Sequence, residues 1–218
     1  KKINVPFEAY AFTDRYTDRD WRGGGLYHNF KNVKINDIGI NKNFRLVHLA
    51  SSTLSTSKFQ TSMKYLARLR MSHGYSSYGE SSSIREVHPS LQLGGTPLTE
   101  CIISAINMVP EFQKKNKVQI VNTIFLTDGQ GHNSFTIWNG NDYSSTAYGS
   151  TIVIIDPVTK KHYKPSLRSR RVEMIDVTCL KILNDRTKSR VIGFYIAPTT
   201  NKRYFNREMG HSGVEWSK

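Results

Sequence analysis

Apolar positions recur along this chain in two rhythms, one of period two and one of helical period. In "INVPFEAYAF", residues 3–12, Val5, Phe7, Ala9 and Ala11 alternate with Pro6, Glu8, Tyr10 and Phe12. The aromatic content favours a strand, ending at Thr13-Asp14. Between 14 and 43, Gly and Asn interrupt every period, which predicts a long insertion or a lid. Ser57 with Gln60 makes a capping box, and Phe59, Met63, Leu66 and Arg70 follow at helical spacing, so a helix is expected over 58–70. "SHGYSSYGESSS", 72–83, is a low-complexity loop. In "LGGTPLTECIISAINMVPEF" the Thr96 hydroxyl is placed to cap a helix, and Pro97 at the first helical position has no donor to leave unpaired. Leu98, Ile102, Ala105 and Val109 form one face of that helix.

"VQIVNTIFL", 118–126, is a continuous apolar run of the kind buried on both sides in a parallel sheet. "STIVIIDPVTKKHYKP" predicts a hairpin turning at Asp156-Pro157. Val172, Ile175, Cys179 and Ile182 outline another helix, and "RVIGFYIAP", 190–198, reads as a third buried strand. Strand, helix, strand, helix, strand argues for an α/β domain with a largely parallel sheet. Ligands gather at the carboxyl ends of such strands. Thr13-Asp14, Thr127-Asp128 and Pro198-Thr199 lie at such ends, and the Gly94-Gly95-Thr96 turn enters its helix from a loop that reaches the same edge.

Composition narrows the class. A chain of 218 residues fits one large domain over 1–218 better than two small ones. At 38% hydrophobic and 22% charged, it reads as a soluble domain with long polar loops. No apolar run approaches the roughly 18 residues that span a bilayer, and no signal-peptide layout opens the chain. A cytoplasmic setting without membrane contact is therefore expected. The chain opens at Lys1 without Met, which suggests a fragment or a processed product. Cys101 and Cys179 have no second Cys or His at ligand spacing and read as buried thiols. A net charge of +14 draws nucleic acid, anionic surfaces or acidic proteins alike.

The stretches "FEAYAFTD", "LGGTPLTECI" and "TIFLTDGQ" resemble the second strand, the metal-site threonine loop and the fourth strand of the von Willebrand factor A (vWA) family, with "VIGFYIAP" similar to its fifth strand. The resemblance covers most of the chain outside insertions at 14–56, 72–92 and 129–170. It implies a Rossmann-like, mostly parallel sheet flanked by helices. It also implies a metal-ion-dependent adhesion site in which Thr96 and Asp128 hold Mg²⁺, or Mn²⁺ or Ca²⁺, directly or through water. One hydroxyl and one carboxylate on fixed turns suit a hard cation that keeps several waters. An open coordination position then accepts an acidic side chain from a partner. The family's Asp-x-Ser-x-Ser motif is absent from both "TDRYTDRD" and "SSTLSTS", so the resemblance places the first strand and that motif upstream of Lys1. The long insertion after the second strand and the Gly-Gly-Thr-Pro-Leu turn are most similar to the cobaltochelatase T-subunit branch and its phage-encoded relatives. These are partners of MoxR-type AAA+ ATPases, and the implied role is a non-catalytic adaptor.

Each residue also has a plainer role: Thr96 as a cap, Asp128-Gly129 as a turn, Asp14 as a solvated loop acid. His132 has no second soft ligand at zinc spacing. No His-Glu-x-x-His, Gly-x-Ser-x-Gly or Walker-type Gly-x-x-x-x-Gly-Lys-Ser/Thr motif occurs. "KKHYKPSLRSRR", 160–171, packs six bases without an acid, and its Lys160, Lys161, Arg168, Arg170 and Arg171 are candidate partner-binding residues that steer an acidic protein. The alternative is nucleic acid held by that strip and by "NKRYFNR", 201–207, with Tyr163, Tyr204 or Phe205 stacking on bases.

Overall fold

A computed structural model of the chain describes residues 5–14, 34–40, 44–73, 93–127, 136–138, 143–145, 153–164 and 173–196. In chain order these form β1 (Glu8–Thr13), β2 (Ile38–Gly39), β3 (Arg45–Ser51), α1 (Thr56–His73), α2 (Leu98–Asn116) and β4 (Asn122–Thr127). β5 (Thr136–Trp138), β6 (Tyr143–Ser145), β7 (Ile154–Ile155), β8 (His162–Tyr163), α3 (Glu173–Thr187) and β9 (Arg190–Tyr195) follow. Mixed helices and strands are what the periodicities predict.

The core lies between α2 and α3. Ile102, Ile106 and Val109 from α2 pack with Ile175, Cys179, Ile182 and Leu183 from α3, and Ile154 of β7 joins them. Val121, Phe125 and Val191 cover this cluster from the strand side. The two helices run parallel: Thr99 meets Asp176 at their amino ends, and the Gln113 amide donates to Thr187 O at 3.0 Å at their carboxyl ends. α2 continues through Pro110 to Asn116, beyond the apolar stripe legible in the sequence, with exposed Lys114 and Lys115 in its last turn.

β4 and β9 pair in parallel, with Ile124 opposite Ile192 and Leu126 opposite Phe194. This is the arrangement expected for two strands joined by a crossover through α3. The sheet, however, is not largely parallel among the described residues. β1–β3, β2–β5–β6 and β7–β8 are separate antiparallel sheets. Nor are β4 and β9 buried on both faces. Phe125 turns towards the helices, while Ile124, Leu126, Ile192 and Phe194 are 53%, 59%, 38% and 51% exposed. The cause is that α2 and α3 both lie on one side of the pair. An unbroken apolar run therefore gives one packed and one open face.

Two segments read as insertions contain ordered strands. β3, inside 14–56, pairs antiparallel with β1, and its outer flank carries α1. α1 begins at Thr56 rather than at 58, since Ser55 rather than Ser57 receives the Lys58 N–H on its hydroxyl, at 3.4 Å. β2, also inside 14–56, pairs with β5 inside 129–170, Ile38 facing Ile137. Both isoleucines pack on the central core, so the two insertions meet in one small sheet anchored to the domain. The expected hairpin is present as β7–β8, with Asp156 and Pro157 in its turn. No described helix is long and apolar enough to cross a membrane.

Candidate functional site

The edge singled out by the sequence is organised by Thr13, the last residue of β1 and fully buried. Its hydroxyl donates to Gly94 O at 2.7 Å and accepts the Gly94 N–H at 3.0 Å. The Asp14 N–H donates to the same carbonyl at 3.2 Å. Three hydrogen bonds thus clamp the carboxyl end of β1 to the turn that carries Thr96. Gly95 follows at φ 69°, a left-handed conformation that costs glycine nothing and most residues a good deal. At the other end of β1 the Glu8 carboxylate lies 3.6 Å from Lys115, in the last turn of α2. β1 therefore runs antiparallel to α2 and delivers Asp14 to the amino end of that helix.

Thr96 is half-buried beside this clamp. The helix starts one residue later than its sequence suggests, with Pro97 fully buried as the N-cap and the Leu98 N–H bonded to Thr96 O at 2.8 Å. β4 and β9 end together, the Ile196 N–H donating to Thr127 O at 2.7 Å. Asp128, the next residue and the second expected metal ligand, lies outside the described residues, as does His132. The structure thus places Thr96 and Asp14 near one clamp. Asp14 and Thr96 offer hard oxygen donors, which is the donor chemistry Mg²⁺ takes. Among the described residues no group of three His, Cys, Asp or Glu is gathered for a metal.

Behind the turn, the first turns of α2 and α3 hold buried polar groups that sequence patterning did not single out. The Thr99 hydroxyl donates to the Asp176 carboxylate in a short contact. Burial pushes that carboxyl upward in pKa, and the Thr99 hydrogen bond partly opposes it. Glu100 is buried in the first turn of α2. Burial, with Glu100 adding to it, raises the Cys101 thiol to about 12. Burial, with Asp176 adding to it, does the same for Cys179. Both thiols are free, Cys179 buried and Cys101 half-buried, and the raised pKa keeps them mainly protonated near neutral pH, which makes them poor nucleophiles.

Of the five basic candidates, Lys160 and Lys161 are described and exposed; Arg168, Arg170 and Arg171 lie outside the described residues. Lys161 is not wholly available to a partner, because its ammonium lies 3.0 Å from the Asp185 carboxylate. The Tyr163 hydroxyl, a proposed stacking residue, donates to the same carboxylate at 2.8 Å. The turn between β7 and β8 is held by Asp156, 1% exposed. It accepts from Arg186 Nε at 3.0 and 3.1 Å, from Thr159 Oγ1 at 2.7 Å and from the Val158 N–H at 3.0 Å. Arg186, with these other donors, holds the Asp156 carboxyl far below the usual carboxylate range against the opposing effect of burial. No sequence motif announced Arg186; only its place in the last turn of α3 sets it opposite the hairpin.

Comparison of the chain with protein-family models, with curated proteins and with solved structures finds no match.

Proposed function

We propose that the chain is a non-catalytic, metal-dependent protein-interaction module of vWA type, serving as an adaptor for a MoxR-type AAA+ ATPase in a chelatase-like complex. The observation that supports this reading is the clamp of Thr13 and Asp14 on Gly94. It brings the carboxyl end of a strand to the loop preceding a helix, where the vWA resemblance puts its ion. Thr96 would orient the cation through its hydroxyl, and Asp128 would hold its water shell. When bound, Mg²⁺ supplies an open coordination position for a carboxylate on the partner. The residues of this chain do the rest: Gly94 and Gly95 fix the turn, Pro97 seats it on α2, and the surface lysines draw an acidic partner at long range.

The experiment is a Mg²⁺ titration by isothermal calorimetry on wild type and on Thr96→Ala and Asp128→Ala, followed by capture of the ATPase with and without EDTA. Saturable Mg²⁺ binding that both substitutions weaken, with capture lost in EDTA, is the expected result. Equal capture in EDTA, or metal binding indifferent to both substitutions, overturns the reading.

A further inference from the structure

The opposite pole of the domain carries a group of bases of which the metal-dependent reading uses only Lys160. Lys114, Lys115 and Lys117 end α2, while Lys188 and Arg190 follow α3, and all five are exposed. Sequence separates the two groups by some seventy residues; the fold joins them. Gln113 donates from its side chain to both Gln119 O and Thr187 O, and the Arg190 N–H donates to Val121 O at 3.0 Å. The hairpin turn with Lys160 is tied to the last turn of α3 through Asp156–Arg186 and Lys161–Asp185. Among the described residues the acids close by are Glu8, engaged by Lys115, Asp185, engaged by Lys161 and Tyr163, Asp156, engaged by Arg186, and exposed Glu111.

A second observation concerns the backbone. Four described non-glycine residues have positive φ, and three of them are lysines of this pole: Lys117 at 54°, Lys160 at 60° and Lys188 at 52°. Lys117 and Lys188 sit at the carboxyl ends of their helices, where glycine or asparagine takes the left-handed conformation with less strain. Helix dipoles favour a base near such ends, but Lys114, Lys115 and Arg186 already supply one in each last turn. Three cations held at strained positions call for a role beyond capping.

We propose that this pole, built on Lys114, Lys115, Lys117, Lys160, Lys188 and Arg190, docks the phosphate backbone of a nucleic acid without reading its sequence. Lysines are point charges suited to phosphate and are depleted at protein interfaces, which rely on aromatic anchors. Among the described residues of this pole, Gln119 and Asn122 are exposed and polar, and the exposed large apolar side chains are Ile120 and Val158.

The test uses the full chain and a fluorescein-labelled DNA duplex of arbitrary sequence, read by anisotropy over a salt series. With six bases at about −0.9 each, wild type should bind with a slope of log K against log salt of about −5. The triple variant Lys117→Gly, Lys160→Gly, Lys188→Gly should lower the slope by roughly one per lysine and weaken binding by on the order of tenfold or more near 0.1 M salt. Its Tm should stay at or above that of wild type, because glycine relieves the left-handed strain. A control with the same charge change on α1, Lys58→Gln, Lys64→Gln, Arg68→Gln, should keep most of the affinity. EDTA and the Thr96 and Asp128 substitutions should leave the anisotropy curve unmoved, which separates this docking from the metal-dependent one. Absence of DNA binding, binding of poly-glutamate in its place, or equal losses in the glycine and α1 variants overturns the proposal.

Discussion

Thr13→Val tests the clamp on which the candidate site rests. Valine has nearly the shape of threonine, so the substitution keeps volume and strand propensity and removes only the hydroxyl. In the native chain that hydroxyl makes two hydrogen bonds to Gly94, at 2.7 and 3.0 Å, from a fully buried side chain. Each such bond contributes about 1 kcal/mol net, and a buried donor left without its acceptor costs about 1–3 kcal/mol. Gly94 O keeps the Asp14 N–H, whereas Gly94 N–H loses the acceptor it has in Thr13. The net loss should be about 2 kcal/mol. For a domain of this size that lowers Tm by about 4–8 °C. Thr13→Ser is the companion: it keeps the hydroxyl, loses one methyl, and should cost about 1 kcal/mol. Urea unfolding gives both free energies, and amide exchange reports Gly94 directly. A valine variant as stable as the serine variant, with the Gly94 amide equally protected, would refute the clamp.

Asp156→Asn should destabilise by about 3–5 kcal/mol, because it leaves the Arg186 guanidinium buried without its counter-charge. The Asp156 carboxyl is depressed in the folded state, so its contribution is complete above the unfolded pKa near 4 and fades as pH falls below it. Stability curves between pH 6 and 2 should accordingly be flatter in the variant, and parallel curves would count against the pair. Cys101 and Cys179, both raised to about 12, should react with a disulfide reagent at pH 8 far more slowly in the native protein than in urea. A folded state that binds its thiol protons more tightly loses stability as pH climbs above about 8.5, the unfolded thiol value. Rapid native labelling would show that these helices open.

Local pattern carries far in this chain. The helical spacing of Ile175, Cys179 and Ile182 marks the buried stripe of α3, and Ile102 and Val109 mark that of α2. The polar turn at Asp156-Pro157 marks a hairpin. These readings depend on which face of one element is apolar, a property written in consecutive residues. β3 went unmarked because its "RLVHLAS" puts polar and apolar residues on both faces, a pattern that suits a strand only once β1 and α1 lie on either side. The capping serine was misplaced by two residues because Ser55, Ser57 and Thr56 all have the right chemistry, and only the path of the chain out of β3 selects Ser55.

The candidate site shows the same division. Gly94, Gly95 and Pro97 announce a turn into a helix, and Thr13-Asp14 announces the end of a strand, from their own stereochemistry. That Thr13 grips Gly94, 81 residues away, is a decision of tertiary packing. So is the buried Asp156–Arg186 pair, which no spacing rule connects, and so is the one-sided burial of β4, whose uniform apolar run contains no information about which side its helices take. Sequence determined which segments could be helix or strand, because backbone sterics and apolar periodicity act within a few residues. Structure alone decided which polar groups meet, because hydrogen bonds and charges between distant segments exist only after the core of α2 and α3 has brought them together.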